Sequence, residues 1–193
     1  MTSFPDITFP VVTTGGEAAW QHTSSEHWSR LASDWLLDPS SLTAKLKEQC
    51  QQFQVQLLGQ REAPLLADEQ AWLGPQKSCI VREVILWCDG QPWVFARSVF
   101  PFSALAQQQL RLEDLGTKPL GEHLFKQPDL TRSAVEVSSF DPHTKVGQLH
   151  QQLGFPSATL WGRRSRFTAA GQHVLVAEVF IGASPLAQEY VND

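Results

Sequence analysis

The sequence predicts an α+β fold on a mainly antiparallel sheet, and three observations carry that reading. Alternating or apolar segments of strand length dominate from residue 53 onward. Two of the junctions between them, Asp89-Gly90 and the region of Ala170-Gly171, leave room only for tight hairpins. Segments with helical spacing stand at the start, before residue 53, and in the middle, after Pro101, while consecutive strands join as hairpins, which points to an α+β fold on an antiparallel sheet.

Taken in order, the first two dozen residues mix Thr, Gly and Pro without periodicity and read as an irregular arm, 1–24, ahead of a single domain, 25–193. HWSRLASDWLL (27–37) spaces Trp28, Leu31, Trp35 and Leu36 as one helix face. Pro39 ends that helix, and SSLTAKLKEQCQQF begins another, with Leu42, Leu46, Gln49 and Phe53 along one stripe and Ser40 or Ser41 as the cap. FQVQLLGQ (53–60) alternates as a strand. KSCIVREVILWC (77–88) and QPWVFARSVFP (91–101) form a hairpin around Asp89-Gly90.

SALAQQQLRLEDLG (103–116) reads as a helix closed by glycine, and TKPLGEHLF (117–125) as a loop with one helical turn. TRSAVEVSSF (131–140), TLWGRRSRFTAAG (159–171) and QHVLVAEVFIG (172–182) read as strands, the last two joined at Ala170-Gly171. Between them, DPHTKVGQLHQQLGFPSA (141–158) reads as a long loop or surface insertion.

Composition narrows the function classes. A net charge of -5 and a pI near 5.6 argue against a nucleic-acid binder. The three cysteines, Cys50, Cys79 and Cys88, form no even framework and no CxxC pair, so free thiols in a reducing compartment are expected. Without an apolar run of membrane-spanning length or a signal-peptide pattern, a cytoplasmic protein is expected. The six histidines (His22, His27, His123, His143, His150, His173) show no metal-ligand spacing, and nucleophile-elbow, zinc-protease, dinucleotide and phosphate-loop motifs are absent. No metal and no cofactor are expected.

Two residues break the apolar pattern. Arg82 shares a strand face with Ile80, Val84, Leu86 and Cys88, and Glu178 shares one with Val174, Val176 and Phe180. A guanidinium on an apolar face needs an anion. Either each residue pairs with another side chain or lies on an open sheet face, or the two serve a pocket in which Arg82 receives a carboxylate. WGRRSRF (161–167) places Arg164 and Arg166 on one face and Trp161, Arg163 and Phe167 on the other, and a solvated strand face is expected there.

The pieces VREVILWCDGQPWVFARSVFP, LGTKPLGEHLF, LTR, LWGRRSRF and AEVFIGASPL, in this order and spacing, resemble the chorismate pyruvate-lyase family of the ubiquinone pathway. The resemblance runs from about residue 34 to 186. It implies helices forming flaps over a buried ligand site, a cofactor-free monomer, and conversion of chorismate to 4-hydroxybenzoate and pyruvate. It assigns the grip on the aromatic carboxylate to Arg82 and the contact with the ring hydroxyl to Glu178, with Leu120 and Leu42 lining the site. Glu178 is then either a general acid toward the leaving oxygen or an anchor for the hydroxyl, and Arg132, Arg164 and Lys118 are candidates for the second carboxylate. By the resemblance, residues 141–158 are expected to be longer than the corresponding connection in relatives, and the arm to have no convincing match there. The competing reading is a non-catalytic sensor of the same fold that binds aromatic acids.

Overall fold

The computed structural model describes residues 3–13, 18–22, 28–75 and 78–189. Ser25, His27 and Lys77, which open segments read from the sequence, lie outside the described residues, as does part of the expected arm. After a two-residue strand β1 (Gln21–His22), helices α1 (Arg30–Leu36) and α2 (Leu42–Gln49) form the expected hairpin across Pro39. Ser29 caps α1 through Ala32 N–H, and Ser41, rather than Ser40, caps α2 through Ala44 N–H. Then come β2 (Phe53–Pro64), α3 (Ala67–Leu73), β3 (Ser78–Cys88) and β4 (Gln91–Phe100). The β3–β4 turn has positive φ at both Asp89 (49°) and Gly90 (75°), the type I′ geometry that Asp-Gly favours.

The second half holds α4 (Phe102–Leu105), a 3-10 turn (Leu112–Leu115), α5 (Leu120–Phe125), β5 (Thr131–Arg132), β6 (Glu136–Phe140), α6 (Lys145–Gln152), β7 (Leu160–Ala169), β8 (Gln172–Phe180) and α7 (Pro185–Glu189). The strands form one antiparallel sheet in the order β1-β6-β7-β8-β4-β3-β2, with β5 pairing β7 outside that path.

Several expectations need correction. Residues 103–116 are not one helix: α4 stops at Leu105, and Arg111 adopts a left-handed φ of 46° before the 3-10 turn. Leu110, Leu112 and Leu115 are all buried, and no single face of a regular helix carries positions two and then three apart. The strand at 131–140 is split into β5 and β6. Residues 141–158 are not a loop. Thr144 caps α6 through Gly147 N–H, and Val146 and Leu149 are buried against β6, β7 and β8 neighbours Phe140, Leu160 and Val179. Helices α3 and α7 had no sequence expectation.

The two sheet faces are built differently. One carries two apolar clusters: Trp35, Leu36, Leu42 and Leu46 of the helical hairpin over Val84, Leu86, Val94 and Phe180, and Leu110, Leu115, Leu120 and Leu124 over Ile80, Phe100 and Val174. The other face carries a row of charge across five strands. Register places Glu83, Arg97, Ala177, Arg164 and Glu136 side by side. Arg97 pairs with Glu83 (3.0 Å) and Glu69 (2.7 Å), and Arg164 with Glu136 (2.6 Å) and Asp68 (2.5 Å), so α3 supplies a carboxylate to each arginine. WGRRSRF is therefore not a solvated face: Arg163 and Arg164 are buried on opposite sides of the sheet.

Candidate active site

Between the two apolar clusters a small cavity remains over the sheet. Its floor is Arg82, Val84 and Leu86 of β3, Ala96 and Ser98 of β4, and Val176 and Glu178 of β8. Its roof is Thr43 of α2 with Pro119, Leu120 and Gly121 at the start of α5. Of the four residues named from the sequence, Arg82, Leu120 and Glu178 line this cavity. Leu42 is buried in the helical-hairpin cluster, and its neighbour Thr43 faces the cavity instead.

Register fixes how far apart the two charged residues stand. Arg82 lies in a row with Ser98 and Val176, and Glu178 in the next with Ala96 and Val84. Two strand spacings and a step of two residues separate their Cα atoms by about 12 Å. Two long side chains reaching inward across that distance leave the span of one para-substituted ring.

Arg82 is 2% exposed, and its partners are neutral. Nη1 donates to Gln60 Oε1 (2.9 Å), and Nη2 donates to the carbonyls of Gly116 (2.9 Å) and Lys118 (3.1 Å). Each has a local cause. The register of β2 shifts between Leu57 and Gly59, and that bulge brings Gln60, rather than Gly59, opposite Arg82. Gly116, with φ 50° and ψ −119°, holds a backbone conformation that favours glycine and ends the 3-10 turn beside the guanidinium. Arg97, Arg163 and Arg164 are similarly buried, yet each pairs with carboxylates; among the described residues Arg82 pairs with none. Burial pulls its pKa down to about 10, so the charge persists at neutral pH. Three of its five donor hydrogens are used, which leaves two for an incoming anion.

Glu178 is half-buried and accepts from Arg163 Nε at 2.8 Å. Arg163 Nη1 donates in turn to the carbonyls of Trp35 (3.0 Å) and Asp38 (2.8 Å) at the end of α1, where carbonyl groups have no helical partner. Arg132 lies nearby, bonded to Ser165 Oγ (3.0 Å) and the Pro39 carbonyl (2.9 Å). Burial pulls its pKa down, Arg163 adds to that, and Glu178 and Asp38 oppose it. Of the other cations considered from sequence, Arg164 faces the opposite side of the sheet, and Lys118 is exposed and contributes its carbonyl to Arg82. Among the described residues, no three His, Cys, Asp or Glu side chains converge as metal ligands, and no helix is long and apolar enough to cross a membrane.

Solved structures share the architecture. The effector domain of PhnF from Mycobacterium smegmatis superposes with a TM-score of 0.56 at 12% identity, over 75% of this chain and 90% of that one. A second structure, a PhnF C-terminal domain, matches at 0.51 and 16%, over 66% and 81%. These likenesses define the fold class. The chain itself belongs to the chorismate lyase family, whose model matches residues 15–191. A relative from Pseudoalteromonas translucida, described as "Probable chorismate pyruvate-lyase", is 41% identical over 177 residues, covering 91% of this chain and 96% of its own. One from Idiomarina loihiensis with the same description is 42% identical over 154 residues, covering 80% of each.

Proposed function

We propose that this protein cleaves chorismate to 4-hydroxybenzoate and pyruvate for ubiquinone biosynthesis, as a carbon–oxygen lyase of the cytoplasm, with the cavity over β3, β4 and β8 as its active site. The observation that carries this reading is Arg82: a buried guanidinium held by neutral acceptors, with donors left over, on one cavity with Glu178. A ring carboxylate supplies the missing anion, and its two oxygens match parallel N–H donors. Val84, Ala96 and Val176 make an apolar floor for the ring, and Leu120 covers it from above. Glu178 meets the ring hydroxyl at the far end.

The atoms of chorismate equal those of its two products, so no water and no electron acceptor enters the balance. The ether C–O bond breaks, the hydrogen lost from the ring carbon ends on the departing enolpyruvyl fragment, which becomes pyruvate, and aromatisation drives the step forward. The protein's part is to hold the reactive conformer and to stabilise charge on the departing oxygen. With Arg163 donating to it, Glu178 serves as an acceptor that anchors the hydroxyl. Arg132, which feels the charges of Glu178 and Arg163, is the candidate for the second carboxylate.

The cavity measures about 30 Å³. A single benzene ring occupies one of roughly 150 Å³. Entry of substrate therefore requires α2 and the Pro119–Gly121 turn to lift, and we read them as the flaps of the site. We assign the chemistry to residues 25–193; the arm, 1–24, supports the sheet through β1 and the buried Ile7, and the family match takes in its last ten residues. The test is incubation of the purified chain, as a monomer, with chorismate while 4-hydroxybenzoate is followed by absorbance. Product formation lost in Arg82→Ala supports the reading; tight 4-hydroxybenzoate binding without turnover would assign the fold to a sensor instead.

A further inference from the structure

The mechanism uses none of the three thiols, and two of them meet. Cys50 follows α2 as its C-terminal cap, and Cys88 is the last residue of β3. Their Sγ atoms lie 2.8 Å apart, and both face the Leu46 carbonyl, at 3.2 Å from Cys50 and 3.8 Å from Cys88. The backbone on either side is clamped. Asp89 Oδ1 accepts from the N–H groups of Gln51 (3.0 Å) and Gln52 (2.8 Å), and Asp89 N–H donates to the Gln52 carbonyl (2.9 Å). A disulfide requires about 2.05 Å between sulfurs, so the two sulfurs need to approach by less than ~1 Å.

We propose that Cys50 and Cys88 are a reversible oxidation site, which joins the end of α2 to β3. The two elements matter because α2 supplies Thr43 to the roof of the cavity and β3 supplies Arg82 to its floor. A covalent link at this junction restrains the roof helix, and that consequence rests on the reading of the cavity given above.

The oxidant is a peroxide. The Cys50 sulfur, the more exposed of the two, attacks one peroxide oxygen as its thiolate. The O–O bond breaks, Cys50 becomes a sulfenic acid, and the leaving hydroxide takes up a proton as water. The Cys88 sulfur then attacks Cys50 Sγ, the S–O bond breaks, and a second water departs with the Cys88 proton. Two thiols lose two electrons, and one peroxide gains them. Burial, with Cys50 and Asp89 adding to it, pushes the Cys88 thiol up, so its attack on Cys50 quickens as pH rises. Cys79 is fully buried and stands apart from the pair, among Leu65, Leu73 and Val81.

Trypsin places the three cysteines in separate peptides, residues 48–61, 78–82 and 83–97. The full chain, reduced and then treated with hydrogen peroxide, is blocked, digested and mapped by mass spectrometry. The expected product joins 48–61 to 83–97 with the loss of two hydrogens, while Cys79 is recovered as a blocked thiol. Hydrogen exchange across residues 42–49 should slow in the oxidised chain and return with dithiothreitol, and Cys50→Ser should show neither change. Recovery of Cys50 as sulfinic acid, or linked to another chain, with Cys88 still a thiol, would overturn the proposal, as would a 50–88 link that leaves exchange of α2 unaltered. These readouts need no chorismate, so they stand or fall separately from the lyase reading.

Discussion

Arg163 and Glu178 stand opposite each other on β7 and β8, and the Arg163 Nε–H donates to Glu178 Oε2 at 2.8 Å. The pairing bears on mechanism, because a carboxylate already receiving a guanidinium is built to accept hydrogen bonds. Glu178→Gln keeps the shape and a carbonyl acceptor but cannot serve as a comparable acid. The variant is expected to retain most of its single-turnover rate, where loss of a general acid would cost about 10²–10⁴. A drop of that size with product affinity intact would assign proton donation to Glu178.

Arg163 itself should be costly to remove. It is 2% exposed and bonds both Glu178 and the end of α1. Arg163→Met leaves a half-buried carboxylate and two carbonyls without their donor, and breaking a buried pair in this way costs about 3–5 kcal/mol. Urea denaturation would measure it, and a loss below about 1 kcal/mol would mean that water replaces the guanidinium.

Arg82→Ala is expected to weaken 4-hydroxybenzoate binding by about 2–5 kcal/mol, because the ring carboxylate loses its partner. Arg82→Lys should recover only part of that, since an ammonium cannot span Gln60, two carbonyls and a ligand at once. Calorimetric titration of the folded variants is the measurement. Equal affinities in wild type and Arg82→Ala would transfer the carboxylate to another cation, with Arg132 first to be tested.

Arg82, Leu120 and Glu178 were legible because strand alternation makes a charge on an apolar face conspicuous and because the surrounding pieces resemble a family. Arg163 was within reach. A hairpin turning at Ala170-Gly171 pairs Ala169 with Gln172, and counting back from that register sets Arg163 against Glu178. The partners of Arg82 were not within reach. Gln60 depends on a bulge that no turn residue marks, and the Gly116 and Lys118 carbonyls depend on how 103–116 breaks. That segment looked helical because its local composition is helical, while the buried leucines that break it satisfy tertiary contacts. Helix α6 was hidden by its flanks, Asp141-Pro142 and Gly154 to Pro156, which carry turn signals on both sides of a single amphipathic stretch.

His150 on α6 gives stability a pH dependence. The ring is fully buried; its Nδ1 accepts from Gly182 N–H (2.9 Å), so Nε2 carries the proton and donates to the Pro156 carbonyl (3.0 Å). Burial pulls its pKa below the ordinary 6.5, with the Pro156 carbonyl opposing. As pH falls through about 6.5 the unfolded chain takes up a proton before the folded one does, so this contribution to stability is present above that pH and lost below it. His150→Gln should flatten the change in denaturation midpoint between about pH 7.5 and about pH 5.5. An unchanged slope would place the titration elsewhere.

The N-terminal arm is expected to matter for stability and not for chemistry. Glu83, with no exposed surface, accepts from Val11 N–H (2.5 Å) and Val12 N–H (3.3 Å) as well as from Arg97. Burial pushes its carboxyl up, while the Val11 amide, Arg97 and the Val12 amide work against that shift. Ile7 is buried in the cluster that includes Trp87, and the Phe9 ring lies over Gly59, where it leaves no room for a Cβ. A chain starting at Ser25 loses all of this at once, on the sheet face opposite the cavity. Two hydrogen bonds to a charged group are together worth about 3–6 kcal/mol, so the denaturation midpoint should fall markedly. In the full chain Glu83→Gln should reproduce part of the loss, and combining it with the truncation should cost less than the sum of the two, because both act on the same carboxylate. Chorismate turnover by the truncated chain, measured below its melting temperature, should stay close to that of the full chain. A truncated chain that is folded but inactive would make the arm part of the site, and one with an unchanged midpoint would mean that water satisfies Glu83 as well as the amides do.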